Sequence, residues 1–350
     1  MADFIRAIKH PQISFKGLRP DLTNGKAVLD KHGIPCSAYG GFGCVIKYET
    51  FVPKHKLWGI KCYNVLPPGL EEHYGKVTKY LNNCPAKRYF LEVSFSTDGI
   101  RVKDKVYPIL KMEWSEGVDL YQYLQVNISD SKKLRLLADE WHKVCNVLMS
   151  YGIVHGDIQH GNIHVLEKGG AINIKLIDYD SLFFSASGDI CKDTIKGLDG
   201  YQHPKRKNVV NRCIQPDYFS YLVVYISILA LAEDGNLWKE LDLDNKEHLL
   251  FSLKDFENPF QSEIFKTLTC GFSNKVKTLT KALIEFCDVE DVSKLSSVQK
   301  LLLQYPALSR EIKKSPNGLY SVKDTNQKNS HSPSISISIS NRIKKRPGEI

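Results

Sequence analysis

The period of the hydrophobic pattern changes near residue 118, and this change constrains the fold more than any other feature of the sequence. Before it, apolar residues run in short strand-like segments such as GCVIKYE at 43–49 and LWGIKCYN at 57–64. After it, apolar residues between 131 and 150 recur at spacings of three and four, which is typical of an amphipathic helix. The pattern therefore predicts an α+β chain with a β-rich first part and a mainly helical second part.

The β-rich part is predicted to be a small antiparallel sheet with one helix against it. Two more strands, RYFLEVSFS at 88–96 and IRVKDKVYPILKMEW at 100–114, flank a predicted turn at Thr97-Asp98-Gly99. The helix precedes them, and one of its faces carries four apolar residues: Leu70, Tyr74, Val77 and Leu81.

The domain boundaries follow from these patterns and from the composition of the two ends. We predict an N-terminal extension at 1–34, a β-rich lobe at 35–116, a helical lobe at 117–305 and a tail at 306–350. The tail contains the run NSHSPSISISISN, which is polar, Ser-rich and without a helical period, so we predict that it is disordered. The alternative for this Ser-Ile run is a transient edge strand.

The net charge of +9 lies largely in this tail. Residues 311–350 contain eight Lys and Arg against three Asp and Glu, a net +5, which leaves +4 for the rest of the chain. Because the excess is a property of the tail, the charge predicts no specific binding of nucleic acid.

The most apolar stretch, YFSYLVVYISILALA at 218–232, is 15 residues long. Since a bilayer span needs about 20 residues, the stretch predicts a buried core helix and no membrane span. The nine cysteines form no CxxC pair, and the N-terminus lacks the apolar segment of a signal peptide. We therefore expect a cytoplasmic protein without disulfides or structural zinc.

The stretch HGDIQHGNIHV at 155–165 places two polar side chains, Asp157 and Asn162, five residues apart in a loop ahead of an apolar run. A second acid, Asp178, ends the apolar strand IKLID sixteen residues after Asn162. An amide oxygen and a carboxylate brought together at strand ends suit Mg²⁺, whose other ligands are commonly waters and phosphates. Asp157 is not needed for the metal and is free to accept a proton from a hydroxyl group.

Two further features predict contact with phosphate groups. Glycines in the segment AYGGFGCV at 38–45, namely Gly40, Gly41 and Gly43, would let backbone N–H groups approach phosphates. Lys61 lies in the middle of the apolar strand LWGIKCYN, and a buried ammonium requires a counter-charge or an anionic ligand. Taken singly, the glycines are equally compatible with a plain hairpin turn, and Lys61 with a position that faces solvent.

In this order, the glycine-rich segment, the strand lysine, the H-x-D-x-x-x-x-N loop and the strand aspartate resemble the protein kinase superfamily over about residues 35–290. MEWSEG at 112–117 resembles the hinge that binds adenine through backbone groups, and GLDGYQHP at 197–204 resembles the end of an activation segment. The resemblance implies a two-lobed kinase fold that uses ATP and Mg²⁺. Within the superfamily, the sequence looks like a group of bacterial stand-alone kinase-like proteins.

The resemblance also implies a role for each matching residue. Lys61 would hold the α and β phosphates of ATP, and Asp157 would deprotonate the acceptor hydroxyl. Asn162 and Asp178 would bind Mg²⁺. The adenine and phosphate sites would be completed by residues of the hinge and of the glycine-rich segment, namely Met112, Glu113, Ser115, Gly40, Gly41, Gly43 and Val45.

The pattern leaves two candidates for the acid that pairs with Lys61. On the predicted helix, Glu71 lies about 100° from Leu70 and Glu72 about 200° away, so Glu71 is the predicted partner. The alternative is that both acids are solvated residues of the first helical turn. Asp180, which replaces the glycine of the D-F-G motif, is expected to form a turn or to be a second contact to the metal.

We therefore expect a Ser/Thr protein kinase with a protein substrate, and the sequence makes no prediction of oligomeric state. Two alternatives stay open. Gln159 stands where Ser/Thr kinases carry a lysine, and HGD-x-x-x-x-N also resembles small-molecule phosphotransferases of the aminoglycoside and choline type. The other alternative is a non-catalytic pseudokinase scaffold, although a scaffold has no chemical need for the lysine, the metal-binding residues and the catalytic acid together.

Gly156 precedes Asp157 where many protein kinases carry an arginine that pairs with a phosphate on the activation segment. Because glycine has no side chain, we expect the segment at 180–200 to be ordered by packing or by a partner, and not by its own phosphorylation. His155 is expected to be a buried residue that supports the loop.

Overall fold

The computed structural model describes residues 2–40, 43–185, 192–298 and 300. The chain first forms six antiparallel strands: β1 (Lys26–Ala27), β2 (Ser37–Gly40), β3 (Gly43–Thr50), β4 (Lys56–Tyr63), β5 (Val93–Val102) and β6 (Lys105–Glu113). They pair in the order β1-β3-β4-β6-β5, and β2 also pairs with β3. The strands predicted at 43–49 and 57–64 are β3 and β4, with their ends shifted by at most one residue.

Three short helices cover one face of this sheet: α1 (Ala2–Ile8), α2 (Pro11–Ser14) and α3 (Pro20–Thr23). A buried cluster joins them to the strands and includes Phe4, Phe15, Leu22, Ile46, Ile60 and Ile109. The segment predicted as an N-terminal extension therefore supplies part of the core of the β-rich lobe, because its apolar side chains are buried against the sheet.

Helix α4 (Leu70–Asn83) packs on the opposite face of the sheet. Adjacent residues of β6 separate the two faces, since Ile109 belongs to the cluster with α1–α3 and Leu110 to the cluster that contains α4. The apolar face predicted for α4 is confirmed by its buried residues, which are Leu70, Tyr74, Val77 and Leu81.

The turn predicted at Thr97-Asp98-Gly99 is wrong. These residues lie within β5, where its pairing with β6 shifts register. The chain instead reverses at Lys103 and Asp104, where Lys103 has a positive φ of 56° that suits a tight two-residue turn. Gly99 is needed for close approach and not for chain reversal, because a Cβ atom there would lie 2.5 Å from the Ile109 side chain.

The second part of the chain is mainly helical. The helix predicted at 131–150 is confirmed, and the apolar stretch at 218–232 lies in a helix in which residues 219–232 are all buried. In the described part of the chain, no helix combines the length and the apolar character that a bilayer crossing demands. The helices are α5 (Leu120–Asn127), α6 (Ser131–Ser150), α7 (Gln215–Glu233), α8 (Leu237–Glu240), α9 (Leu253–Glu257), α10 (Glu263–Cys270) and α11 (Asn274–Cys287).

Short strands frame the loops that carry the predicted site. They are β7 (Val118–Asp119), β8 (Ile153–Val154), β9 (Ile163–Lys168), β10 (Ala171–Leu176) and β11 (Phe183–Phe184). The hairpin β9–β10 pairs with β7, and β8 pairs with β11. Asp157 therefore lies between β8 and β9, and Asp178 between β10 and β11.

The predicted α+β fold class, with an antiparallel β-rich first lobe and a helical second lobe, is confirmed. The tail predicted at 306–350 lies outside the described residues, so its disorder stays a prediction.

Replacing Gly99 by alanine is expected to destabilise the protein by about 1–3 kcal/mol, the usual cost of forcing a methyl group into a packed site. The matched control is Gly75→Ala on the exposed side of α4, where an added Cβ would meet no atom within 4 Å. This control is expected to stabilise the protein by up to about 1 kcal/mol. Urea denaturation midpoints measure both changes, and equal midpoints for the two variants would contradict the packing role of Gly99.

Candidate active site

A cavity of about 270 Å³ lies between the sheet and the helical part of the chain. Its walls combine residues of β2–β4 and β6 with residues next to β9 and after β10. Side chains that are far apart in the sequence therefore meet in one cleft. Seven of the residues predicted to bind nucleotide or metal line it: Val45, Lys61, Met112, Glu113, Ser115, Asn162 and Asp178.

The predicted hinge is held by backbone hydrogen bonds on both sides. The N–H of Glu113 donates to the carbonyl of Glu92 at 2.8 Å, and the N–H of Trp114 donates to the carbonyl of Leu57 at 2.9 Å. These two bonds attach the end of β6 to backbone groups of Glu92, just before β5, and of Leu57 in β4, which keeps that wall of the cavity in place.

The glycine-rich segment forms the end of a hairpin. Gly40 and Gly43 are opposite residues of β2 and β3, and the two residues between them, which include the predicted Gly41, lie outside the described residues. A Cβ atom at Gly43 would overlap the carbonyl oxygen of Cys62 on β4. Gly43 is therefore required by the close approach of two strands, independently of any phosphate.

Lys61, on β4, turns its ammonium group toward two acids. Its Nζ atom lies 2.6 Å from Oδ2 of Asp180 and 3.7 Å from Oδ1 of Asp178. Burial alone would lower the pKa of Lys61, but the charges of Asp178 and Asp180 outweigh burial and raise it. Lys61 is therefore a stable cation at the wall of the cavity.

The predicted pairing of Lys61 with Glu71 is wrong. Glu71 and Glu72 are both exposed on α4, which agrees with the alternative that these acids are solvated. Two residues of α4 reach this segment: the hydroxyl of Tyr74 donates to Oδ1 of Asp180 at 2.5 Å, and Nε2 of His73 lies 2.7 Å from the carbonyl oxygen of Tyr179. The prediction failed because the apolar face of α4 itself faces the site, which turns the neighbouring acids toward solvent.

Asp180 lies in a turn, as predicted, since the N–H of Leu182 donates to the carbonyl of Tyr179 at 3.1 Å. Its carboxylate does more than form a turn, because one oxygen accepts from Lys61 and the other from Tyr74. With both oxygens engaged, Asp180 is not placed as a second contact to a metal. The signal in the sequence was an acid at a position where the motif carries a glycine.

Asp157 and Asn162 meet because the chain between them forms a tight loop. The amide nitrogen of Asn162 donates to the carbonyl of Asp157 at 2.8 Å and to its carboxylate at 3.2 Å. The side chain of Gln159 accepts from the N–H of Gly161 at 2.8 Å, which stabilises the turn His160–Asn162. Gln159, at the position where Ser/Thr kinases carry a lysine, is therefore engaged in the loop itself.

The carboxyl group of Asp157 has the electrostatic properties of a proton acceptor. Burial raises its pKa above the ordinary value, and the charge of Asp178 acts in the same direction. The nearby His155, the hydrogen bond from Asn162 and the backbone N–H of Leu198 offset only part of this rise. The Oδ1 atom of Asp157 is buried and accepts no hydrogen bond within the part of the chain that the structure describes. A carboxylate with a raised pKa and an available oxygen suits proton transfer.

The backbone of this loop is held by a buried acid that the sequence analysis did not assign. Asp217, in the first turn of α7, accepts from the N–H of His155 at 2.6 Å and from the N–H of Gly156 at 3.0 Å. His155 is buried, as predicted, and its Nε2 atom lies 3.0 Å from the carbonyl oxygen of Ile177. The signal for Asp217 was an acid in front of a wholly apolar helix, since a buried carboxylate there requires donors.

Gly156 has a structural reason to lack a side chain. Its φ of 77° lies in the left-handed region, and a Cβ atom would lie 2.9 Å from the side chain of Ser181. An arginine at this position would therefore displace the segment that follows Asp178. The start of that segment packs directly on the loop at 155–162, while residues 186–191 lie outside the described residues, so the ordering of the whole segment by packing stays a prediction.

A buried ion pair between Asp193 and Arg206 anchors the part of the segment that begins at residue 192. Arg206 donates to both carboxylate oxygens of Asp193, with 3.1 Å between Nη2 and Oδ1, and both side chains are 5% exposed. Lys196 pairs with the same carboxylate at 3.3 Å, and the N–H of Asp193 donates to the carbonyl of Val210 at 2.9 Å. These contacts tie the part of the segment that begins at residue 192 to residues 206–210.

Asn162 and Asp178 line the same cavity and carry oxygen atoms of the kind that Mg²⁺ prefers. The amide nitrogen of Asn162 is engaged by Asp157, so the amide oxygen is the atom available to a cation. Oδ1 of Asp178 is buried, lies 3.7 Å from the Lys61 ammonium and, among the described residues, accepts no hydrogen bond of ordinary length. Across the described part of the chain, no group of three or more His, Cys, Asp and Glu side chains could hold a metal. Mg²⁺ needs no such group, because waters and phosphates commonly complete its shell.

No protein-family model and no curated protein matches this sequence. Solved structures do match the fold, among them the kinase PK-1 of Cydia pomonella granulovirus. That chain is 17% identical, the TM-score is 0.52, and the match covers 84% of this chain and 98% of the viral one. The chain therefore has a protein-kinase-like fold, as predicted, whereas the predicted closeness to bacterial kinase-like proteins stays a prediction.

Asp193→Ala is expected to destabilise the segment at 192–211 by about 3–5 kcal/mol, because it leaves the Arg206 guanidinium buried without its counter-charge. Hydrogen exchange of the backbone amides in this segment should accelerate by about 100-fold or more. The double variant Asp193→Leu, Arg206→Met should lose less than Asp193→Ala, since no buried charge is left unpaired. Unchanged exchange in Asp193→Ala would exclude the ion pair as the anchor.

Proposed function

We propose that the chain is an ATP-dependent kinase that transfers the γ-phosphate to a Ser or Thr hydroxyl of a protein substrate. One observation carries the proposal: Asn162 donates to the carboxylate of Asp157 at 3.2 Å, beside the cavity that Lys61 and Asp178 also line. A proton acceptor, a metal-binding pair and a phosphate-binding cation thereby share one site. The protein-kinase-like fold supports the same proposal.

Each part of the cavity has a separate task in the proposed complex. The backbone of residues 112–115 would bind adenine, and the hairpin β2–β3 would cover the phosphates. Lys61 would hold the α and β phosphates. Mg²⁺, held by Asn162 and Asp178, would neutralise charge on the phosphates when bound.

Asp157 would act on the acceptor and not on the nucleotide. As the hydroxyl oxygen forms its bond to the γ-phosphorus, the bond from that phosphorus to the bridging oxygen breaks, and ADP leaves with the electron pair. The hydroxyl proton passes to Asp157, whose Oδ1 atom accepts no other hydrogen bond among the described residues. Asn162 holds the opposite oxygen of the same carboxylate and so fixes its orientation.

The backbone segment that lies next to Asp157 favours a protein as the substrate. Gly197 lies so close that a Cβ atom there would be 2.8 Å from Oδ1 of Asp157. Tyr201 anchors the segment that contains Gly197, since its hydroxyl lies 2.6 Å from Nδ1 of His160 and accepts from the N–H of Leu249 at 3.1 Å. A fixed backbone beside the catalytic acid suits recognition of an extended peptide.

Asp157→Asn is expected to lower phosphate transfer to casein by about 10²–10⁴-fold, because it removes the proton acceptor. Intact-mass spectrometry after incubation with Mg-ATP measures the added phosphate. The affinity for Mg-ATP, from calorimetry, should stay within about twofold of the wild type.

The outcomes of this experiment separate the proposal from its alternatives. Wild-type turnover by Asp157→Asn would refute the role of Asp157. Transfer to an aminoglycoside or to choline, with none to protein, would identify a small-molecule phosphotransferase. Binding of Mg-ATP by the wild type without any transfer would identify a pseudokinase.

The pH dependence of kcat/KM should show an acidic limb with its midpoint above 3.8, the ordinary pKa of an aspartate. The sign follows from the role of the group: Asp157 accepts a proton only when deprotonated, and burial raises its pKa, so activity is lost as pH falls through that raised value. The control is Mg-ATP affinity over the same range, which should not fall with the same midpoint. A limb at or below 3.8 would contradict the assignment.

A further inference from the structure

The two carboxylate oxygens of Asp180 contact two different elements of the β-rich lobe, a strand and a helix. Oδ2 lies 2.6 Å from the ammonium of Lys61 on β4, and Oδ1 accepts from the hydroxyl of Tyr74 on α4 at 2.5 Å. The Asp180 side chain is 11% exposed, so these bonds are shielded from water. One carboxylate therefore links the strand, the helix and the segment after β10.

We propose that Asp180 and Tyr74 are the positioning residues for Lys61, and that they replace the helix acid expected from the sequence. The inference rests on the proposed function, in which Lys61 holds the phosphates of ATP. Asp180 supplies the counter-charge, and Tyr74 holds the carboxylate against α4.

Tyr74 is suited to this task because its position is fixed by packing. Its side chain is fully buried, and its ring stacks on Phe95 at a centroid distance of 5.8 Å and an interplanar angle of 2°. Burial raises the pKa of Tyr74 well above the ordinary value, so the hydroxyl keeps its proton and donates it to Asp180. The position of α4 is thus linked to Lys61 through a neutral donor and not through a helix carboxylate.

Asp180 and Asp178 approach Lys61 at different distances, and the residue between them is held in place by two hydrogen bonds. The hydroxyl of Tyr179 accepts from the N–H of Leu91 at 2.7 Å and donates to the carbonyl of Leu176 at 2.8 Å. Asp178 lies farther from Lys61, at 3.7 Å, and its side chain is 44% exposed against 11% for Asp180. Asp180 therefore makes the short contact to Lys61, while Oδ1 of Asp178 faces the same ammonium at the longer distance and accepts no hydrogen bond of ordinary length among the described residues.

The test compares Asp180→Asn, Tyr74→Phe and Glu71→Gln, with Glu72→Gln as a control of matched chemistry on the exposed side of α4. Transfer kinetics and calorimetric affinity for Mg-ATP are measured for each full-length variant. We expect kcat/KM for ATP to fall about 10- to 100-fold in Asp180→Asn, as for other residues that orient a binding group. Tyr74→Phe should fall less, and both glutamate variants should stay within about twofold.

A second readout does not depend on turnover. Acetic anhydride labels lysine amines, and mass spectrometry compares the rate at Lys61 with the rate at Lys111, which pairs with Asp21 at 2.6 Å. In Asp180→Asn and Tyr74→Phe the labelling of Lys61 should rise, by about tenfold in the former, while that of Lys111 stays constant. A general loss of structure would instead raise labelling at both lysines.

The two readouts separate failure of the inference from failure of the proposed function. If Glu71→Gln loses as much transfer as Asp180→Asn, or if Lys61 labelling is unchanged in both Asp180→Asn and Tyr74→Phe, the inference is overturned while the kinase proposal stands. If the wild type transfers no phosphate, the proposed function fails, and the labelling of Lys61 still tests its pairing with Asp180.

Discussion

A lysine in the middle of a buried strand is the constraint on which the rest of the site depends. Lys61 loses much of its hydration on β4, so an acid must lie within reach for the folded state to tolerate its charge. That acid, Asp180, comes from the segment after β10, in the other half of the molecule. The ion pair therefore ties the sheet to the helical lobe.

The loop at 155–162 is held by a different principle, which is the satisfaction of buried polar groups. Asp217 accepts two backbone N–H groups of the loop, and Asn162 donates twice to Asp157. These bonds leave one oxygen of Asp157 without a partner among the described residues. A rigid frame around a single available oxygen is the arrangement that a proton acceptor requires, because its direction must be set before the substrate binds.

Much of the fold could be predicted because periodicity is a local property. The buried face of α4 and the bounds of α6 follow from spacings of three and four, and the buried α7 follows from an uninterrupted apolar run. The same local reasoning failed at Thr97-Asp98-Gly99, whose composition is that of a turn. Pairing between β5 and β6 overrides that composition, since Gly99 is needed where the strand approaches Ile109.

The sequence by itself determined the strands, the helices and the polar residues at the loop ends, because spacing along the chain specifies them. The structure brings three of these polar residues, Asp157, Asn162 and Asp178, together in the cleft or beside it. Only the tertiary structure decided which acid neutralises Lys61. That choice depends on which face of α4 packs against the sheet and on how closely the segment after β10 approaches β4. These are distances between elements, and no local pattern in the sequence contains them.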